Sequence, residues 1–113
     1  MKLVEKPWGF ELIWAQTKDY VAKMLHINAN ERLSLQYHNI KEETVYVMDG
    51  TLLNYTDSTS PPVKIPVGQS LHIEPKQVHR FGAGAEAVRL MEVSTPHLDD
   101  VVRIEDDYNR KET

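Results

Sequence analysis

The stretch that decides the fold is Leu33-Ser34-Leu35-Gln36-Tyr37-His38-Asn39-Ile40-Lys41-Glu42-Glu43, which leads into a segment closed by Gly50. Side chains alternate between the two faces of a strand, so Gln36 and His38 point the same way, about 6.5 Å apart. Residues 39–42 have the length of a hairpin loop, which would bring Glu43 back beside His38. His79 lies on a later segment. Two imidazoles, an amide oxygen and a carboxylate suit zinc, iron, manganese, nickel or cobalt, so the pattern predicts a divalent-metal site.

Length and composition limit the kind of protein that carries this pattern. The chain has 113 residues, 41% of them hydrophobic and 27% charged, which predicts one domain spanning residues 1–113. Its apolar runs are too short to cross a membrane, and charge and proline interrupt the N-terminus before a signal peptide forms, so we expect a cytoplasmic protein. There are no cysteines, which excludes disulfides and thiolate ligands.

The charge pattern excludes one class of partner. The formal net charge is −4, and the lysines and arginines are scattered singly rather than clustered in a run. Nucleic acid is therefore not expected as a partner. A few basic side chains are still enough to bind one phosphate on a small molecule.

Short extended segments dominate the chain, and almost no helical period is visible. The segments from Leu33 to His38, Glu43 to Met48 and Thr51 to Thr56 are predicted to form consecutive antiparallel strands. The tail from Leu98 to Arg110 fits either a short helix or an edge segment. Further strands are predicted at 10–15, 20–28, 70–74, 78–81 and 88–94.

Four more residues are candidates for roles in the site. His72 and Glu74 share one face of a predicted strand and would move protons if that face is the interior one, whereas the alternative is that they face solvent. Lys41 and Arg80 each adjoin a candidate ligand in the sequence. They would bind an anionic group of the substrate, and the alternative is that both are charges at a solvated rim.

Two motifs give the chain a family resemblance. Leu33 to Gly50 and Gly68 to Phe81 resemble the two motifs of a cupin, and more closely the cupin domain of type II mannose-6-phosphate isomerases and related small stand-alone cupins. The similarity runs from Lys6-Pro7-Trp8-Gly9 to the segment that ends at Arg110. Asn30, Glu74 and Lys76 depart from residues that are customary in the family.

The resemblance implies an all-β cupin jelly roll, a β-sandwich or barrel that is commonly dimeric, with one divalent metal. The metal ligands would be Gln36, His38, Glu43 and His79. Glutamine rather than histidine at position 36 favours the isomerase branch, and Lys41 stands where those isomerases have an arginine. A homodimer acting on a sugar or sugar phosphate is therefore expected.

Three functions remain open on this sequence. The first is a metal-dependent aldose–ketose isomerase of a sugar phosphate like mannose 6-phosphate. The second is an iron-dependent cupin oxygenase, because the same ligand set accepts several metals. The third is a non-catalytic or carbohydrate-binding cupin that holds a metal.

Overall fold

Eleven short β-strands make up the secondary structure of residues 1–110, the part of the chain that the computed structural model describes. In chain order they are β1 Lys2–Lys6, β2 Gly9–Gln16, β3 Val21–Ile27, β4 Leu35–Tyr37, β5 Glu43–Asp49, β6 Leu52–Tyr55, β7 Val63–Ile65, β8 Ser70–Ile73, β9 Arg80–Gly82, β10 Val88–Ser94 and β11 Val102–Glu105. Among these residues no helix is long and apolar enough to cross a membrane.

The strands form two layers. One layer is a six-stranded antiparallel sheet in the order β1-β2-β3-β10-β5-β8. The sheets β11-β4 and β7-β6-β9 form the other layer, and isolated bridges between Arg32 and Gly82 and between Gln36 and His79 join them. This arrangement confirms the predicted all-β jelly-roll sandwich.

The apolar core lies between the two layers. Val45, Val47 and Leu90 of the large sheet pack there against Leu52 and Phe81 of the smaller layer, and all five are buried. The strands β5, β6 and β10 alternate buried and more exposed residues, because one face of each strand meets the core and the other meets solvent.

The predicted run of three consecutive antiparallel strands is wrong. β4 pairs with β11, β5 pairs with β8 and β10, and β6 pairs with β7 and β9, so the chain changes layer between them. A local pattern indicates that a segment is extended, but it does not identify the partner strand. His38 and Glu43 still meet, across the space between the layers rather than across a hairpin.

Other differences concern strands with weak sequence signals. The tail contains the strand β11, which settles the choice between a helix and an edge segment. The strands β1 and β7 were not predicted. Lysine, glutamate and proline in or beside them dilute the β-propensity of these short segments, and the pairing partners β2 and β6 stabilise them.

Two glycines in turns differ in what surrounds them, which gives a test of the packing. Both have positive φ, 76° at Gly50 and 87° at Gly68. A Cβ at Gly50 would lie 2.4 Å from the carbonyl oxygen of Ala87, whereas a Cβ at Gly68 would meet nothing within 4 Å. We expect Gly68→Ala to cost only the φ penalty, about 1 kcal/mol, and Gly50→Ala to cost clearly more. Thermal unfolding followed by circular dichroism measures both, and equal losses of Tm would contradict the packing described for Gly50.

Candidate metal centre

One end of the sandwich interior is charged. The central strands β3, β10 and β5 carry Lys23, Glu92 and Glu43 on their inner faces, and all three residues are buried. The strand register places Glu92 opposite Lys23, and Ser94 opposite Glu43, so the charged residues lie at the same end of adjacent strands. An otherwise apolar interior therefore contains a compact polar region.

Three candidate ligands converge in this region. The Nε2 atom of His79 lies 3.4 Å from Oε1 of Glu43, and the Nε2 atom of His38 lies 3.8 Å from Oε2. One ligand atom from each of the three residues lies within 4.8 Å of the others, and all three side chains are buried. The structure thus brings together the two histidines and the glutamate that the sequence indicated.

Hydrogen bonds aim both imidazoles at the same point. Nδ1 of His38 lies 2.5 Å from the carbonyl oxygen of Asp100, and Nδ1 of His79 lies 3.0 Å from that of Gln77. Since a carbonyl only accepts, each Nδ1 carries the proton and each Nε2 presents a lone pair. The buried Nε2 of His38 has no hydrogen-bond partner among the described residues. An orphaned nitrogen facing a carboxylate and a second imidazole fits a divalent metal.

The electrostatics favour the ligand forms of these groups. Burial, followed by the positive charge of Lys41, lowers the pKa of His38, which keeps its imidazole neutral. Burial by itself would raise the pKa of Glu43, but its polar surroundings, with His79 at 3.4 Å and the Lys41 ammonium at 2.9 Å, outweigh burial and hold that pKa below its usual range. A neutral imidazole and an ionised carboxylate are the forms that bind a metal.

Gln36 lies beside these three residues on β4 and lines the same cavity. Its Nε2 donates hydrogen bonds to Oγ of Ser34 at 2.8 Å and to the Ser34 carbonyl at 3.3 Å. The amide nitrogen is thereby occupied, which leaves the amide oxygen as the atom that Gln36 can offer to a cation.

A single carboxylate holds the loop between His38 and Glu43 in place. Asp100 accepts hydrogen bonds from the backbone N–H groups of Asn39, Ile40 and Lys41 at 2.7–3.0 Å. Although partial burial acts in the opposite direction, these bonds lower the pKa of Asp100 to about 2. The same residue offers its carbonyl to His38, so the C-terminal segment orients a candidate ligand.

Lys41 contacts carboxylates rather than projecting toward a ligand. Its Nζ lies 2.9 Å from Glu43 and 3.2 Å from Glu92, and these charges raise its pKa against the effect of burial. Lys23 continues the pattern, at 3.8 Å from Glu92 and 3.2 Å from Glu11. A chain of alternating charges thus crosses the interior from β2 to the candidate metal centre.

Sequence reasoning missed Glu11, Lys23 and Glu92. A signal was present, because Lys23 lies between the inward apolar residues Val21 and Leu25, and Glu92 follows Val88 and Leu90 on the inner face of its strand. A charge at such a position indicates a buried partner.

Three of the residues that the sequence suggested for substrate binding or proton transfer do not line the cavity, namely Arg80, His72 and Glu74. Arg80 is buried, but it donates to the carbonyl of Leu33 at 2.8 Å and to Asp107 at 2.9 Å. His72 and Glu74 are exposed, and Nε2 of His72 lies 2.5 Å from the Glu42 carboxylate. β8 turns Leu71 and Ile73 toward the core, so its polar positions face solvent.

The candidate metal centre opens into a cavity of about 280 Å³. The aromatic side chains of Trp8 and Phe81 contribute apolar wall, and residues of β1 and of the C-terminal segment complete the lining. This volume lies near the lower end of the range for small-molecule sites.

A family model described as Mannose-6-phosphate isomerase C-terminal matches residues 1–106. The chain belongs to this family. No match to a curated protein was found.

Solved structures show the same fold. A cupin-like protein from Thermotoga maritima superposes with a TM-score of 0.73 at 16% identity, covering 86% of this chain and 76% of that one. KdgF from Halomonas sp. superposes with a TM-score of 0.72 at 14% identity, covering 85% of this chain and 88% of that one. A cupin sugar phosphate isomerase from Silicibacter pomeroyi DSS-3 superposes with a TM-score of 0.65 at 17% identity, covering 76% of this chain and 58% of that one. The cupin fold that the sequence motifs predicted is therefore confirmed.

Two adjacent glutamates give a matched test of the metal centre. Glu43 is buried between the two histidines, whereas its neighbour Glu42 is exposed and contacts His72. We expect wild-type protein to bind about one divalent ion per chain. Glu43→Gln should weaken that binding by 100-fold or more, since even outer partners of metal ligands contribute 10- to 100-fold. Glu42→Gln should leave it unchanged.

Metal titration by calorimetry, with metal content measured after dialysis, provides the readout. Wild-type affinity in the Glu43→Gln variant would contradict the assignment of this carboxylate as a ligand.

Proposed function

We propose that this protein is a divalent-metal-dependent isomerase that interconverts an aldose phosphate, of the mannose 6-phosphate type, and its ketose. The observation that carries the proposal is the buried group of His38, Glu43 and His79 at the inner end of a cavity large enough for a small molecule. Membership of the mannose-6-phosphate isomerase C-terminal family supports it. The proposed metal is zinc, manganese, iron, nickel or cobalt, with Gln36 as a fourth ligand.

The ligand set suits this chemistry. A bound metal of this kind supplies Lewis-acid polarisation of the sugar oxygens. Glu43 is the only anionic residue of the proposed four, so the site retains net positive charge when it is filled. The apolar walls from Trp8 and Phe81 limit the access of water to the reacting carbons.

The reaction also needs a group that moves a proton between C1 and C2. Among the carboxylates that line the cavity we propose Glu92, because it is buried between the ammonium groups of Lys41 and Lys23 and is not a ligand. Burial, and then the charge of Glu43, raise its pKa, while the two lysines act in the opposite direction. A carboxyl group with a raised pKa is suited to proton transfer near neutral pH.

Two further expectations from the sequence remain proposals, namely a homodimer and a cytoplasmic location. The outer face of the large sheet supports the first. Trp14, Tyr46 and Val93 lie on that face, and each is about half exposed. Apolar side chains of this size on a flat face are typical of a surface that a partner covers.

A panel of aldose and ketose phosphates tests the reaction. We expect the metal-loaded protein to interconvert at least one such pair and to lose that activity on chelation, regaining it when the metal is restored. Glu43→Gln should abolish turnover and Glu42→Gln should retain it. Metal-bound protein that binds sugar without turnover would favour a carbohydrate-binding cupin, and oxygen uptake with iron would favour an oxygenase.

The proton-transfer assignment has its own test. We expect Glu92→Gln to lower kcat by at least about 100-fold with little change in KM, because the amide keeps the shape of the carboxyl group but does not exchange a proton. His72→Ala, on the solvent face, should stay within twofold of the wild type. Full activity in Glu92→Gln, or a large loss in His72→Ala, would reverse the assignment.

A further inference from the structure

The edge strand β1 turns two lysines into the cavity. Lys2, Val4 and Lys6 occupy one face of this strand and all three line the cavity. Val4 and Lys6 are partly buried, whereas Lys2 is exposed, as are the alternate residues Leu3 and Glu5. Lys6 is only partly exposed, yet none of the ion pairs among residues 1–110 involves its ammonium group. An inward lysine without a carboxylate partner is an uncommon arrangement.

The C-terminal segment adds two arginines on the same side of the cavity. Arg103 on β11 pairs through its backbone with Gln36, which places it one strand away from the candidate metal centre. Arg110 lines the same cavity, and its guanidinium contacts Asp106 at 2.8 Å. We call Lys2, Lys6, Arg103 and Arg110 the outer basic cluster.

Members of the outer basic cluster lie close enough to repel one another. Burial lowers the pKa of Lys6, Glu11 acts in the opposite direction, and the positive charges of Lys23, Arg110 and Arg103 lower it further. Like charges gathered around a partly enclosed space raise the energy of the empty site. An incoming anion relieves that repulsion.

The deeper carboxylates are in direct contact with other lysines. Glu11 and Glu92 contact Lys23, and Glu92 and Glu43 contact Lys41. In total, six lysines and arginines but only four carboxylates line the cavity, although the chain as a whole carries a net charge of −4. The cavity lining therefore carries more positive than negative side chains.

We propose that the outer basic cluster binds the phosphate group of the substrate, while the reacting sugar carbons lie at His38, Glu43 and His79. This inference rests on the proposed isomerase function and identifies the part of the site that recognises the phosphorylated end. Arginine forms paired hydrogen bonds with phosphate oxygens, and lysine adds a point charge. Lys41 and Arg80, which the sequence suggested for this role, are both held by carboxylates, Lys41 by the buried Glu43 and Glu92 and Arg80 by the exposed Asp107.

The first experiment compares two lysines. Lys6→Met removes an ammonium from the cluster, and the control Lys64→Met removes one from an exposed position on β7. We expect Lys6→Met to raise KM at least tenfold for an aldose 6-phosphate and less than twofold for the unphosphorylated sugar, with Lys64→Met unchanged for both. Arg103→Gln should show the same selectivity. Equal effects on both substrates, or no effect, would overturn the proposal.

A second measurement does not depend on turnover. Calorimetric titration of the metal-loaded protein with inorganic phosphate should show at least tenfold weaker binding in Lys6→Met and unchanged binding in Lys64→Met. If no aldose phosphate is turned over but this loss is seen, the isomerase proposal fails and the phosphate site stands. If turnover is found and Lys6→Met behaves as the wild type in both assays, the phosphate site fails and the isomerase stands.

The melting temperature separates binding from folding. Because Lys6→Met relieves repulsion among like charges, its Tm without phosphate should equal or exceed that of the wild type. Added phosphate should raise the Tm of the wild type more than that of the variant. A lower Tm in the variant, with an equal response to phosphate, would show that Lys6 serves the fold instead.

Discussion

The structure depends on placing a carboxylate inside a β-sandwich without leaving its charge uncompensated. An isolated buried carboxylate is strongly unfavourable, so such groups persist only where cations and hydrogen-bond donors surround them. Glu43 meets this condition through the ammonium group of Lys41, 2.9 Å away. Lys41 also contacts a second buried carboxylate, that of Glu92. Glu92 therefore needs a further cation, which Lys23 on β3 provides.

This constraint explains why the candidate metal centre draws on distant parts of the chain. His38 follows β4, Glu43 opens β5 and His79 precedes β9, and these strands belong to three different sheets. Asp100 ties the loop at residues 39–41 to the C-terminal segment. Residues 98–103 therefore serve both as wall of the cavity and as support for a ligand.

The inner and outer parts of the cavity differ in how closely their charged side chains are paired. In the inner part, lysines and glutamates alternate at 2.9–3.8 Å and largely neutralise one another around the candidate metal centre. In the outer part, the four cations of the outer basic cluster line the cavity together with one carboxylate of the C-terminal segment, Asp99, and Asp106 pairs with Arg110. The candidate metal centre in the inner part suits the reacting carbons of a phosphorylated sugar, and the cations of the outer part suit its phosphate group.

The sequence by itself determined the fold class and three of the residues that meet at the candidate metal centre. Alternating apolar residues and turn residues indicate strands from a few neighbouring positions. The motif around His38 and Glu43, with the later His79, indicates metal binding from the residue types alone. Only the tertiary structure decided which strands pair, that Lys41 and Arg80 are held in internal ion pairs, and that Lys6, Lys23 and Glu92 line the cavity. These outcomes depend on contacts between residues far apart in the chain, and a charged residue has the same letter in the sequence whether it faces solvent or a buried partner.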